Sequence, residues 1–408
     1  MKKTQEFMLL AMIALMFTTV CMETDIYVPA FPDMKNFFAT TAEAIQRVLS
    51  VNFVGICIGS LLFGPLSDSF GRKKILQLGL VLFAFASWGC LLFKNFEIFL
   101  LCRFFQGIGA AAPMVISFAM VLEKYAPEKV AQICGGVNLF ITGVMAVAPI
   151  LGSYLNINYG WQANFFLIAV LSTISLLGSL FFIRETLAPV DRTQFSLPVI
   201  VKNYGTVITS FPYMAAACIC YLLFAGLIVF VANLSLIFID YLEVPKASYG
   251  FYQASAPASF AVFSFLSIWI IGYFGTTKTK YAGIITSSIG AVLLIITASI
   301  QPNPILICAA MVIFTSGATL AGPIYGMESA NVYPEMRGIA TGMSNALRHV
   351  IVAGIIGIGS YSFDGSIKPV SMLIAISTII IISLALALTT GGWGFLSRFR
   401  PRIKNYNK

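Results

Sequence analysis

Long apolar segments repeat along almost the whole chain, and they restrict its fold more than any other feature. Each is close to the roughly 20 residues that a helix needs to cross the hydrocarbon core of a bilayer. Backbone polar groups in lipid must be satisfied internally, which favours helices. The sequence therefore predicts an all-α integral membrane protein with twelve transmembrane helices. The segments lie near residues 7–32, 46–67, 75–93, 97–121, 131–155, 162–184, 212–239, 248–273, 281–300, 304–327, 337–361 and 367–393.

The composition excludes several other classes of protein. Of the 408 residues, 59% are hydrophobic and only 10% are charged, whereas a soluble domain has roughly 25% charged residues. The mean hydropathy is strongly positive, at +0.90, which also indicates a membrane protein. A soluble enzyme, a disordered chain and a nucleic-acid-binding protein are therefore set aside, although the sequence pI is about 9.1.

Basic residues predict the orientation in the membrane. If both termini are cytoplasmic, the inner segments hold eighteen lysines and arginines and the outer loops hold five. Cytoplasmic loops carry the excess of basic residues in membrane proteins, so we expect both termini inside. The basic tail at 397–408 fits stop-transfer and attraction to anionic lipid.

The longest polar segment divides the chain into two similar parts. We expect an N-terminal six-helix half at 1–186, a cytoplasmic connecting loop at 187–211, and a C-terminal six-helix half at 212–396. A faint repeat supports the division, because Phe70-Gly71 follows the second helix and Phe274-Gly275 follows the eighth. Two halves related by an axis along the membrane normal place a binding site between them near the midplane.

The most distinctive motif follows the second helix. It reads Gly-Pro-Leu-Ser-Asp-Ser-Phe-Gly-Arg-Lys-Lys at residues 64–74. Gly64 and Gly71 permit a sharp reversal, Asp68 can accept hydrogen bonds at the start of the third helix, and Arg72 and Lys73 hold the loop inside. The motif resembles a loop of the major facilitator superfamily. That resemblance implies a gating role, with Asp68 as a latch against the other half, and this role is compatible with helix capping and topology.

The fourth helix contains an arginine well inside its apolar run. Arg103 is costly there unless it has a partner or faces a water-filled cavity, and Gln106 lies one turn away. Gly107 lets a neighbouring helix approach closely. The segment resembles the fourth-helix motif of proton-coupled members of the superfamily, which links Arg103 to proton transfer. A snorkelling arginine that serves only topology is the alternative.

The first helix ends with two carboxylates, Glu23 and Asp25. Residues two apart lie about 200° from each other on a helix, so only one readily faces a central cavity. The run Thr-Asp-Ile-Tyr-Val-Pro-Ala-Phe-Pro at residues 24–32 resembles the bicyclomycin-resistance (Bcr/CflA) branch of drug:proton antiporters. The resemblance selects Asp25 as the cavity acid, and we place Glu23 with it in proton coupling. The alternative for Asp25 is a helix-end group solvated at the outer face.

The fifth helix contains a proline and nearby small residues. The segment around Pro149 and Gly152 resembles the Gly-Pro-x-x-Gly-Gly element of antiporters, in which a kinkable helix packs at the interface of the halves. Ala148 and Ser153 stand where glycines are usual.

A second arginine, Arg348, lies near the middle of the eleventh helix. It must pair with an acid, for which Glu23 and Asp25 are the candidates, or contact an anionic group of the substrate. The neighbouring His349 is either a packing residue or a proton relay. We expect the substrate cavity to include polar residues from both halves, namely Tyr27, Gln106, Asn138, Asn345 and Arg348.

These features predict a proton-coupled secondary transporter that exports drugs or small metabolites by alternating access, with H⁺ antiport. The alternative is a proton symporter that imports a nutrient or siderophore on the same fold. A membrane enzyme or receptor is disfavoured, because the sequence has no metal-ligand spacing, nucleotide-binding glycine loop or serine–base pairing. We expect no cofactor and no metal. The expected partners are a small-molecule substrate, protons and the lipid bilayer of the bacterial inner membrane, in which the chain acts as a monomer.

Overall fold

The computed structural model describes residues 2–125, 127–187, 197–300, 302–333 and 337–390, and helices form most of them. The tail predicted at 397–408 and part of the predicted connection, residues 188–196, lie outside the described residues. The helices are α1 (Lys2–Asp25), α2 (Phe31–Phe37), α3 (Ala42–Phe70), α4 (Arg72–Leu92), α5 (Phe96–Lys124), α6 (Pro127–Tyr159), α7 (Gln162–Phe182), α8 (Leu197–Ile208), α9 (Phe211–Ser235), α10 (Lys246–Ile300), α11 (Pro304–Ala330), α12 (Arg337–Tyr361) and α13 (Lys368–Thr390).

Most of these helices are long and apolar enough to cross a bilayer. Ten such segments occur within the described residues. One of them, α10, has 55 residues and contains a break at Gly275. At 1.5 Å per residue its full length is about 80 Å, far beyond the roughly 30 Å of a hydrocarbon core. The all-helical membrane fold is therefore confirmed, with about ten to twelve apolar helices.

The two loops with similar sequences have the same backbone conformation. Gly71 has φ 99° and ψ 144°, and Gly275 has φ 79° and ψ 164°. Residues with a side chain rarely adopt such angles, whereas glycine does so readily. Each glycine lets one long helix end and the next begin at once, so the faint sequence repeat corresponds to a repeated structural break.

Glycines also bring the backbones of neighbouring helices together. A Cβ on Gly109 of α5 would lie 2.4 Å from the backbone nitrogen of Phe83 in α4. Similarly, a Cβ on Gly317 of α11 would lie 2.4 Å from the carbonyl oxygen of Gly283 in α10. Small residues allow this approach in membranes, where dispersion contacts drive helix packing.

The segment predicted as a connecting loop at 187–211 contains a helix, α8, which sequence analysis missed. Tyr204 and Val207 of α8 are three residues apart and therefore share a face of the helix. Val207 is fully buried against Tyr213 and Met343, and the hydroxyl of Tyr333 donates to the carbonyl oxygen of Thr206 at 3.4 Å. This amphipathic face docks α8 on the ends of α9 and α12.

Candidate functional site

A buried ion pair joins α1 and α5. Arg103 is fully buried, and its Nη1 donates to a carboxylate oxygen of Glu23 and to the side-chain oxygen of Gln106. Its Nη2 donates to the hydroxyl of Tyr27 at 2.6 Å, and its guanidinium lies 4.5 Å from the centre of the Tyr27 ring. Arg103 is therefore held in the interior and does not snorkel to a surface.

Neighbouring amides complete this network. Asn52 of α3 donates to Glu23 at 2.8 Å and to the carbonyl oxygen of Arg103 at 3.1 Å. Gln106 donates to the hydroxyl of Ser87 in α4 at 2.8 Å. A buried ion pair is stable when such additional hydrogen bonds compensate for its desolvation. The network thus ties four helices together around one buried ion pair, in which Oε2 of Glu23 and Nε of Arg103 have no hydrogen-bond partner among the described residues.

The network changes the interpretation of three residues. Glu23 was a candidate partner for Arg348, but its carboxylate is bonded to Arg103. Tyr27 and Gln106 were expected in the substrate cavity, and both are fully buried and bonded to Arg103. Local spacing did not indicate this, because Glu23 and Arg103 are 80 positions apart.

Asp25 has a different environment from Glu23. It is the last residue of α1, and a 3₁₀ turn at Val28–Ala30 follows it. The side chain is 7% exposed, and the hydroxyl of Thr24 donates to it at 3.3 Å. Within the described residues it has no ion-pair partner. Because residues two apart on a helix point about 200° from each other, Asp25 does not share the network that binds Glu23 to Arg103 and Asn52.

Arg348 of α12 is also without an ion-pair partner in the part of the chain that the structure describes. It is half-buried, and its Nε is buried with no hydrogen-bond partner. The guanidinium lies 5.6 Å from the centre of the Phe224 ring in α9. One turn earlier, Ser344 shares a hydrogen bond with the hydroxyl of Tyr221. Arg348 therefore projects from a polar and aromatic strip that α9 and α12 form together.

Asp25 and Arg348 are connected through one helix, α9. The turn at Val28–Ala30 packs against α9, and α9 packs against α12. Two charges of opposite sign, neither compensated by a salt bridge to a described residue, thus lie on segments that α9 connects: the end of α1, through the turn at Val28–Ala30, and α12.

Three other polar residues were discussed for the cavity: His349, Asn345 and Asn138. His349 is buried, its Nδ1 lies 2.7 Å from the carbonyl oxygen of Asn345, and its ring centre lies 5.8 Å from that of Phe53 in α3. Asn345 is half-buried on α12. The side chain of Asn138 lies outside the described residues.

The loop motif forms a charged cluster at the end of α3. Arg72 pairs with Asp68 at 2.5 Å and with Glu123 at 2.8 Å. Glu185 accepts hydrogen bonds from the backbone N–H groups of Arg72, at 2.9 Å, and Lys73, at 3.3 Å. Glu185, and not Asp68 as predicted, therefore caps the start of α4, where a helix N-terminus favours a carboxylate.

The reversal within this motif occurs at one glycine only. Gly64 lies within α3, which continues through Pro65 to Phe70 before Gly71 ends it. The carboxylate of Asp68 is 44% exposed. Burial, together with the negative charge of Asp68, raises the pKa of Tyr204 to about 12. The charge of Asp68 therefore acts on a residue of α8, the helix that the sequence analysis missed.

The segment around Pro149 and Gly152, predicted in the fifth membrane helix, lies in α6 of the structure and packs closely on both sides. A Cβ on Gly152 would lie 1.7 Å from the carbonyl oxygen of Ile26, just after α1. A Cβ on Gly250 of α10 would lie 3.0 Å from Cα of Ile150 and 3.2 Å from the carbonyl oxygen of Pro149. The segment around Pro149 and Gly152 thus separates the end of α1 from the start of α10.

Two reciprocal ion pairs, which sequence analysis missed, join α2 to the connection between α9 and α10. Lys35 pairs with Asp240, and Lys246 pairs with Asp33 at 2.6 Å. Asn156 of α6 also donates to Asp33 at 2.6 Å. Each side supplies one acid and one base. The sequence did contain a signal for these pairs, because each segment has an acidic and a basic residue only a few positions apart.

Hydrogen bonds near these ion pairs also join α3 to α9 and α12. Gln46 of α3 donates to Asn233 of α9 at 2.9 Å, and both residues are fully buried. The hydroxyl of Ser360 in α12 donates to the carbonyl oxygen of Glu43 in α3 at 3.0 Å. The ends of α2 and α3 are therefore joined to α9, α10 and α12.

Comparisons with known proteins agree with this architecture. The family model of the Major Facilitator Superfamily matches residues 13–358. A bicyclomycin resistance protein homolog of Haemophilus influenzae is 26% identical over 335 residues, which cover 81% of this chain and 83% of that protein. A chloramphenicol resistance protein of Pseudomonas aeruginosa is 36% identical over 185 residues, 44% of each chain.

Solved transporter structures share the fold. The crystal structure of a D-xylose–proton symporter has a TM-score of 0.74 at 15% identity, covering 92% of this chain and 97% of that chain. The human organic anion transporter MFSD10 has a TM-score of 0.66 at 16% identity, covering 92% and 99%. The family model, which spans most of the chain, identifies a transporter and not an enzyme. The chain belongs to the major facilitator superfamily.

Proposed function

We propose that the protein is a proton-coupled secondary transporter that exports drugs or small metabolites in exchange for H⁺. The observation that carries this proposal is Asp25, a buried carboxylate at the end of α1 with no ion-pair partner among the described residues. Relatives named for bicyclomycin and chloramphenicol resistance support export.

The exchange follows from the cost of burying a charge. A carboxylate removed from water without a partner is strongly unfavourable. Asp25 therefore binds either a proton or a cationic group of the substrate as the protein moves between its two states. Because both ligands neutralise the same carboxylate, they compete, and competition at one site couples their opposite movements.

The compensated pair has a supporting role in this mechanism. Glu23 and Arg103 anchor the end of α1 to α5, and Tyr27 links that anchor to the turn after Asp25. A change of charge at Asp25 therefore acts on the end of α1, which Glu23 and Tyr27 hold against α5. We propose that Glu23 and Arg103 contribute to proton coupling by holding Asp25 in position.

For the topology, we propose twelve crossings with both termini in the cytoplasm. The two arms of α10 count as two crossings, α6 adds one, and the halves are 1–186 and 212–396. The ion pairs of Lys35 and Lys246 then lie at the outer face and close it, so the site opens toward the cytoplasm. We place a single copy of the protein in the bacterial inner membrane, where Asp68 serves as a latch once the inner side closes.

Everted membrane vesicles with an imposed proton gradient test the proposal. Compounds of differing charge, beginning with bicyclomycin and chloramphenicol, are added while the gradient is monitored. We expect at least one compound to dissipate the gradient in vesicles with the wild-type protein and not with Asp25→Asn. Asp364→Asn, an isosteric change in an exposed loop, is the control and should behave as wild type.

The same vesicles distinguish antiport from symport. Gradient-driven accumulation that occurs only in right-side-out vesicles would indicate the proton symporter, an alternative that the uncompensated charge of Arg348 keeps open. Gradient dissipation that persists unchanged in Asp25→Asn would show that another group carries the proton.

A further inference from the structure

A cavity of about 440 Å³ lies where the start of α1 meets the ends of α5 and α7. None of its lining residues takes part in the proposed transport site. The apolar segments long enough to cross a bilayer begin at Glu6 in α1, and they end at Val121 in α5 and at Phe182 in α7. The cavity is therefore at the boundary between the hydrocarbon core and the polar surface of the membrane.

The acidic residues that line this cavity are already engaged. Glu123 pairs with Arg72 at 2.8 Å and accepts a hydrogen bond from the hydroxyl of Thr186 at 2.5 Å. Glu185 accepts hydrogen bonds from the backbone N–H groups of Arg72, at 2.9 Å, and Lys73, at 3.3 Å. Both carboxylates are thus bound by the loop motif and its neighbours.

The basic residues that line the same cavity lack such partners. Lys124 and Arg184 are exposed, and neither forms a salt bridge to a residue that the structure describes. The Nζ atom of Lys124 lies 5.9 Å from the centre of the neighbouring Tyr125 ring, which leaves its N–H donors available. The cavity therefore presents two cationic groups to which an anion can bind through charge-assisted hydrogen bonds.

The rest of the lining is apolar. Phe181 is 77% exposed and Phe182 is 45% exposed, and Met8 and Leu9 of α1 line the cavity beside them. The helices α1 and α7 pack against each other, so both supply this part of the lining. A small soluble anion would leave these apolar side chains uncovered. A phospholipid, in contrast, has an acyl chain for the apolar lining and a phosphate for the basic residues.

We propose that this cavity binds an anionic phospholipid, with its phosphate at Lys124 and Arg184 and an acyl chain along Phe181 and Phe182. Basic pockets between membrane helices bind such headgroups on the cytoplasmic side, which is where the proposed topology places this cavity. The planar donor set of a guanidinium matches two phosphate oxygens at once. The inference does not depend on the direction of transport or on proton coupling.

Lipid binding to the purified full-length protein in detergent tests the proposal. Phosphatidylglycerol, phosphatidylcholine or inorganic phosphate is added at increasing concentration. Native mass spectrometry counts the bound lipid, and the thermal unfolding midpoint is followed because a ligand of the folded state raises it. We expect phosphatidylglycerol to bind at least about tenfold more tightly than phosphatidylcholine, whose choline cation compensates its own phosphate. Inorganic phosphate should leave the midpoint unchanged over the same concentrations.

Two double variants locate the site. Lys124→Gln/Arg184→Gln should weaken the binding of phosphatidylglycerol by at least about tenfold, since each basic residue near a membrane surface contributes about fivefold. Both side chains are exposed and form no described ion pair, so the midpoint without lipid should stay close to that of the wild type. The control is Lys202→Gln/Lys278→Gln, which removes two exposed basic residues outside the cavity and should bind phosphatidylglycerol as the wild type does.

Three results would overturn the proposal. The first is equal binding of phosphatidylglycerol and phosphatidylcholine by the wild type. The second is phosphatidylglycerol binding that stays unchanged in Lys124→Gln/Arg184→Gln or falls equally in the control variant, since either outcome would show a general attraction of basic residues to anionic lipid. The third is a response to inorganic phosphate as strong as that to phosphatidylglycerol, which would assign the basic residues to a soluble anion.

Discussion

Arg103 and Arg348 both lie over an aromatic ring, but only Arg103 has a counter-charge among the described residues. Arg103 is fully buried and bonded to Glu23, Gln106 and Tyr27. Arg348 is half-buried, lies over Phe224, and has no ion-pair partner among the described residues. An arginine in a membrane span is expensive in both places. The first is compensated within the fold, so the second is the one available to a ligand.

The largest effect is expected from removing the partner of Arg103. Glu23→Gln leaves a guanidinium buried without a counter-charge, and arginine cannot release its proton. Breaking a buried ion pair in this way destabilises a protein by about 3–5 kcal/mol. We expect a sharply lower thermal unfolding midpoint in detergent and a poor yield of folded protein. A midpoint equal to the wild type would show that the pair contributes little.

Removing both charges should recover part of that loss. In Glu23→Gln/Arg103→Gln neither charge of the pair remains, and coupling between contacting residues amounts to about 0.5–3 kcal/mol. The double variant should therefore be more stable than Glu23→Gln and should retain some gradient-driven transport, because Asp25 is intact. Complete loss of transport in a folded double variant would assign the pair a direct part in proton transfer.

A smaller effect is expected at the outer ion pairs. Lys35→Asp places two acids opposite each other at residues 35 and 240, and exposed pairs contribute about 0–1 kcal/mol. The outer face should open more often, so an impermeant maleimide should modify Thr24→Cys up to about fivefold faster in a protein without its eight native cysteines. The charge exchange Lys35→Asp/Asp240→Lys should restore the slow rate. Failure of the exchange to restore it would mean that these side chains do not hold the face closed.

The smallest effect on stability is expected at Arg348. Since Arg348→Gln breaks no ion pair to a described residue, the free energy of unfolding should change by less than about 1 kcal/mol. Transport should nevertheless change, because binding sites commonly retain groups that do not favour stability. Thermal unfolding and transport measured on the same preparation check this. A loss of stability as large as that of Glu23→Gln would remove the distinction between the two arginines.

Much of the fold follows from local sequence patterns. Apolar runs of bilayer length predict the helices, and the faint Phe-Gly repeat at residues 70–71 and 274–275 corresponds to two breaks at which glycine has a positive φ. The amphipathic helix α8 was missed because its short apolar face lies inside a polar connection. Its stability comes from docking against Tyr213 and Met343, residues that are close only after folding.

The candidate site was predictable as a set of residues but not as a set of contacts. Sequence reasoning selected Glu23, Asp25, Arg103 and Arg348 because charges in apolar runs need an explanation. It could not decide which acid pairs with which base, since Glu23 and Arg103 meet only through the packing of α1 on α5. The same reason explains why the pairs formed by Lys35 and Lys246 were missed, and why Glu185 replaces Asp68 at the start of α4.

Proton release on ligand binding tests the central claim most directly, namely that substrate and proton compete for Asp25. The purified protein in weakly buffered detergent solution is mixed with a cationic compound that dissipates the proton gradient in the vesicle assay, and the change in pH is recorded from a range of starting values. We predict that the wild type releases up to about one proton per bound molecule, since cation and proton exclude each other at one carboxylate, and that Asp25→Asn releases none. Equal release by the two proteins would contradict the account.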